Sequence, residues 1–157
     1  MKHFLAAVAY RTQKALRGAP ASFADFRAGE KVRTPHELVR HMDSVLGYAR
    51  TFFVGGVYQP PEFADFREAV EHFHAVAADL GRLIEEGVRM QVLTPETLLQ
   101  GPLSDAMTHA GQLALLRRLE GSPVPPENFI FARISAENLG PEQPEPERPD
   151  AVWPERP

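Results

Sequence analysis

The sequence predicts an all-α fold, a four-helix bundle followed by an extended Pro-rich tail, on three observations. Apolar residues recur at spacings of three and four in four separate segments. Start and stop signals bracket those segments. No stretch shows a convincing strand pattern between them.

The first segment, Met1 to Arg17, places Phe4, Leu5, Val8, Ala9, Thr12 and Leu16 on one stripe, and Gly18 follows as a stop signal. The second opens with Thr34-Pro35-His36-Glu37, where Thr34 caps, Pro35 suits the first helical position and Glu37 completes a capping box. Leu38, Met42, Val45, Ala49 and Phe52 continue it to Gly55-Gly56. The third follows Pro60-Pro61, with Phe63, Phe66, Val70, Phe73, Ala77, Leu80 and Ile84 as its apolar line before Gly87. The fourth begins near Pro102 and runs to Leu119, preceded by a short turn at Thr94-Pro95-Glu96. The first and third links span about 16 residues, long enough for neighbours to run other than up and down.

Nine of the 15 prolines lie from Pro123 onward, so the helical domain is expected over residues 1–131 and an extended or disordered tail over 132–157. Asn128 to Ile134 is expected to pack as an extended strap, and a Pro-rich tail can also engage a partner. At 157 residues with 43% apolar content, the chain suits one core. The mild net charge of −4, with arginines scattered among carboxylates, offers no footprint for nucleic acid. No apolar stretch reaches the roughly 18 residues of a membrane span, and a cytoplasmic location is expected. The absence of cysteine removes disulfides and thiolate metal sites, so any metal must use nitrogen and oxygen ligands.

Three residues are candidate metal ligands. Asp105 and His109 stand four apart, a spacing that puts both on one helix face with Cβ atoms about 6 Å apart. A helical wheel sets both on the side of Leu113, Leu115, Leu116 and Leu119, and sets His41 between Leu38 and Val45 on the inward stripe of the second segment. Two histidines and a carboxylate leave positions open on a bound ion, as a catalytic site requires. The competing explanation is that Asp105, in the first turn of its helix, answers the macrodipole and pairs with His109 or an arginine.

The other candidates read differently. His72 and His74, two apart, cannot line one site and are expected at the surface, as are His36 and His3. Glu37 is explained by its cap. Tyr48 shares the side of His41 and is expected in the core; Tyr10 and Tyr58 are further proton donors. Gly111 in a helix interior costs about 1 kcal/mol relative to alanine, which close helix approach, within the chain or across a dimer, would offset. Gly55-Gly56 lacks the residues of a phosphate loop.

Asp105-Ala106-Met107-Thr108-His109-Ala110-Gly111-Gln112-Leu113 resembles the last core helix of the DinB/YfiT-like superfamily, whose motif is His, three residues, His, then x-Gly-Gln. His41, in Leu38-Val39-Arg40-His41-Met42, matches the family's remaining ligand. The resemblance covers about residues 1 to 130 and implies an up-down-down-up bundle, commonly a homodimer, with a divalent ion at one end held by His41, Asp105 and His109. It implies a metal-dependent hydrolase, or a thiol S-transferase using a low-molecular-weight thiol such as bacillithiol or mycothiol. This chain departs from the family at Asp105, which replaces a histidine; oxygen ligation shifts the choice among zinc, nickel, iron and manganese. The alternative is a non-catalytic dimeric bundle, in binding or stress response, that has lost the metal.

Overall fold

The computed structural model describes residues 1–147 and is all-helical in its regular structure. Its helices are α1 (Lys2–Leu16), α2 (Pro35–Val54), α3 (Phe66–Glu85), the single turn α4 (Pro95–Leu98) and α5 (Ser104–Leu119). Short 3₁₀ turns cover Ala21–Asp25 and Phe129–Phe131.

Local chemistry sets the ends of α2 as its sequence demands. Thr34 Oγ accepts from the Glu37 N–H at 3.1 Å, the Thr34 N–H donates to the Glu37 carboxylate at 2.8 Å, and Pro35 fills the first turn. Gly55 ends the helix at φ 76°, a left-handed conformation that costs glycine little. α3 begins at Phe66 rather than near Pro61, because Asp65 caps it by accepting from the Glu68 N–H at 2.8 Å.

The start of the last long helix differs from expectation. Thr94 and Thr97 form a capping box that launches α4, and the chain passes through a π-helical turn, Leu99–Leu103, straight into α5. Pro102 does not begin a helix; without an N–H it cannot make the i−4 bond, and the wider turn absorbs it. Ser104 Oγ completes the turn by donating to the Leu99 carbonyl at 2.7 Å.

α2 packs against α3 and α5, while α1 packs against α5 and α3. The shared core includes Leu5 and Val8 of α1, Met42 and Leu46 of α2, Phe73 and Leu80 of α3, and Leu103 and Leu113 around α5. On α5 the inward line is Ala106, Ala110, Leu113 and Leu116, whereas Leu115 and Leu119 are 52% and 57% exposed, against the expected apolar face. Arg117 takes the inward position beside them. Its guanidinium donates to the Ala15 and Arg17 carbonyls at 2.9 and 3.0 Å, so the cation closes the C-terminal end of α1.

Residues 132–147 run along the helices, attached by named contacts. Leu139 is buried in a notch left by Gly81, where a Cβ would stand 2.2 Å from Leu139 Cδ1. Burying such a side chain contributes about 2 kcal/mol. Arg17 pairs with Glu145 at 2.9 Å and Lys2 with Glu137 at 3.1 Å. Gln143 is buried and donates to the Gly140 carbonyl at 2.7 Å. This stretch has no regular secondary structure and turns at Ser135–Asn138, with attachment that its composition did not suggest. The rest of the tail, residues 148–157, lies outside the described residues.

Candidate metal centre

α2 and α5 bring His41, Asp105 and His109 together, with one ligand atom from each lying within 4.8 Å of the others. His41 Nε2 stands 3.5 Å from Asp105 Oδ2, and His109 Nε2 stands 3.4 Å from Asp105 Oδ1. The two imidazoles meet edge to face at 4.7 Å between centroids. Both imidazole–carboxylate separations approach the about 3.4 Å between ligands of a tetrahedral ion, although they reach different oxygens of Asp105, and one atom from each residue spans up to 4.8 Å. They are long for hydrogen bonds between charge partners, which cluster at about 2.7–2.9 Å. The three residues can hold a metal ion.

Each ligand is positioned by its helix. His109 follows the buried Ala106 and precedes the buried Ala110, so its ring is held at the α2–α5 seam and is itself buried. Its Nδ1 lies 2.8 Å from Gln112 Oε1; an amide oxygen accepts, so this contact favours the tautomer with its proton on Nδ1 and the Nε2 lone pair toward Asp105. Gln112 is the site residue that the sequence left without a role. The signal was available in the three-residue spacing from His109. Burial holds the His41 imidazole below its ordinary 6.5, with Arg33 and His109 adding to the effect and Asp105 opposing it. A histidine neutral at ordinary pH is ready to ligate.

Asp105 is 46% exposed at the side chain and lies well inside the helical run that starts at Pro95. Because α5 continues the π turn, Asp105 does not stand at a free helix start, and the macrodipole explanation loses its premise. Tyr48, expected in the core, is 59% exposed and lines a cleft that also contains Asp105 and Pro102. A second cleft, of about 710 Å³, opens beside His109. Leu38, Leu115, Leu116 and Leu119 give it apolar walls, and Lys31 and Arg33 give it positive charge.

The remaining candidates do not join this site. His74, expected at the surface, is 1% exposed: Nδ1 donates to the Leu139 carbonyl at 2.8 Å and Nε2 faces Gln13 at 3.3 Å. His72 lies on the next face of α3, with Nδ1 2.7 Å from the fully buried Asp43. Tyr58 donates to the other Asp43 oxygen at 2.7 Å, and its ring covers Gly47, where a Cβ would stand 2.3 Å away. Tyr10 donates to Glu127 at 2.8 Å, His36 lies edge-on to Phe66 at 5.8 Å, and His3 is exposed. Glu37 serves its cap and pairs with Arg27 at 3.6 Å.

Among the described residues, the geometry thus defines an all-helical protein with a two-histidine, one-aspartate cluster able to hold a cation at the α2–α5 seam. No protein-family model matches the chain, and neither a curated protein nor a solved structure matches it.

Proposed function

We propose that the protein is a metal-binding enzyme of the DinB/YfiT-like type, a hydrolase or thiol S-transferase acting on a small molecule with one ion held by His41, Asp105 and His109. The observation that carries this reading is the convergence of three ligand atoms within 4.8 Å from two helices. Zinc, nickel, iron and manganese are the candidate ions, and an ion there supplies Lewis acidity to a water or thiol at its open side. The chain's own residues supply the rest. Gln112 favours that His109 tautomer, and the cleft beside His109 offers apolar walls to a substrate body while Lys31 and Arg33 attract an anionic end. On the same reading the four long helices form an up-down-down-up bundle that pairs as a homodimer in the cytoplasm.

One observation favours a second reading. Asp105 already neighbours both imidazoles, so a protonated histidine could satisfy it and leave a non-catalytic dimeric bundle without metal. Metal analysis of untagged protein separates the two. The enzyme reading expects about one ion per chain in the wild type and background levels in His109→Ala. Absence of stoichiometric metal after addition of zinc, nickel, iron and manganese overturns it.

A further inference from the structure

A cavity of about 220 Å³ lies between α1, α5 and the segment that follows α5, on a side of α5 different from His109. Arg11 and Lys14 reach it from α1, Gly111 and Arg118 from α5, and Glu127 and Phe129 from the following segment. The charges on its walls do not all cancel. Lys14 Nζ donates to the Pro125 carbonyl at 2.8 Å and pairs with Glu127 at 3.2 Å; the other Glu127 oxygen accepts from Tyr10 at 2.8 Å. That pair neutralises itself and is anchored.

Arg11 is left in a different state. Its guanidinium lies over the Phe129 ring at 3.7 Å, while its Nε is buried and has no hydrogen-bond partner among the described residues. A guanidinium stays charged at any ordinary pH, and a buried donor without an acceptor is costly.

Gly111 points to the same cavity independently. A glycine inside a helix costs stability relative to alanine, and close packing was the expected compensation. Yet a Cβ built there meets nothing within 4 Å. No neighbouring helix requires the missing side chain; Gly111 is exposed at the cavity's rim, and the absent side chain leaves that mouth clear.

We propose that this cavity binds a small organic monocarboxylate with an apolar body. The guanidinium fork of Arg11 matches a carboxylate in two-pronged geometry, and the ligand's charge would answer the arginine's own. Ala15, Ala110, Ala114, Val124 and the Phe129 ring supply apolar walls for the body. The site is separate from the proposed metal centre.

Calorimetric titration of the untagged full chain tests the proposal with benzoate as probe, benzamide as its uncharged counterpart, and inorganic phosphate. Benzoate is expected to bind, with benzamide weaker by about tenfold or more. Arg11→Gln should weaken benzoate by a similar factor, and Gly111→Leu should block it by closing that mouth. His41→Ala should leave it unchanged, which separates this site from the metal reading. No binding of benzoate, equal binding of benzamide, or preferential binding of phosphate overturns the proposal. Should Arg11→Gln fail to fold, undiminished benzoate binding by Gly111→Leu overturns it alone.

Discussion

Asp43 and Asp105 make an instructive pair, because each is a carboxylate on a long helix facing imidazole from another. Asp43 is fully buried, and both oxygens are engaged at 2.7 Å, one by Tyr58 and one by His72. Asp105 is 46% exposed and faces two imidazole nitrogens at 3.4 and 3.5 Å. The first arrangement is closed: each oxygen has a close donor and no space remains for a guest. The second is open, with two imidazole nitrogens and a carboxylate near enough to share an ion. Residue types alone do not separate a structural carboxylate from a candidate ligand; contact length and exposure do.

The sharpest way to break this comparison is to remove each carboxylate in turn. Asp105→Ala should weaken zinc binding by more than about 100-fold, beyond the loss typical of an outer partner, while changing metal-free stability by under about 0.5 kcal/mol. Calorimetric titration and urea denaturation read the two quantities; a large stability loss without a metal effect would make Asp105 structural. Asp43→Ala should do the reverse. It leaves the Tyr58 hydroxyl and the His72 N–H unpaired and should cost about 2 kcal/mol in denaturant, with metal content unchanged.

A smaller effect sharpens the open site. Gln112→Ala removes the acceptor that favours that His109 tautomer, and zinc affinity should fall about 10- to 100-fold with stoichiometry preserved. Unchanged affinity would show that the ring needs no such support.

The smallest expected effect concerns pH. Burial holds His74 below its ordinary 6.5, so protons bind the unfolded chain more tightly than the folded one. Its contribution to stability is complete above 6.5 and declines as pH falls from there toward the lower folded value. His41, also held low by burial, adds the same sign, so the informative comparison is wild type against His74→Gln. The variant should lose less stability between pH 7 and 5 in urea titrations; equal slopes would remove His74 as a contributor.

How much of this could be read from the sequence follows from the range of each interaction. The Thr34–Glu37 capping box is local, and it forms as the spacing demands. His41, Asp105 and His109 were legible as candidates from residue type and spacing, and their ligand atoms do lie together, whereas the exposure of Asp105 was not, since the wheel set it inward with Leu115 and Leu119. Asp43 was not, since its partners arrive from α3 and from the link before it. The wheel of α5 misplaced Leu115 and Leu119 because the carbonyl end of α1 recruits Arg117 inward, a demand invisible in α5 itself. Pro102 read as a helix start because proline commonly begins one, whereas here a wider turn carries the helix past it. His74 and Leu139 cover one another across 65 positions, which no window of sequence displays.

The attachment of residues 125–145 to α1 also bears on the order in which the molecule is completed. α1 leaves the ribosome well before that segment, yet Tyr10 meets Glu127 across 117 positions and Lys2 meets Glu137 across 135. Until those late residues emerge, Tyr10, Lys14 and Arg17 lack the groups that satisfy them in the finished structure. Joining such distant points carries a loop-closure cost that grows with the logarithm of separation, and distant contacts slow folding. The helices can gather early, but the outer side of α1 is sealed only after residues 125–145 have emerged.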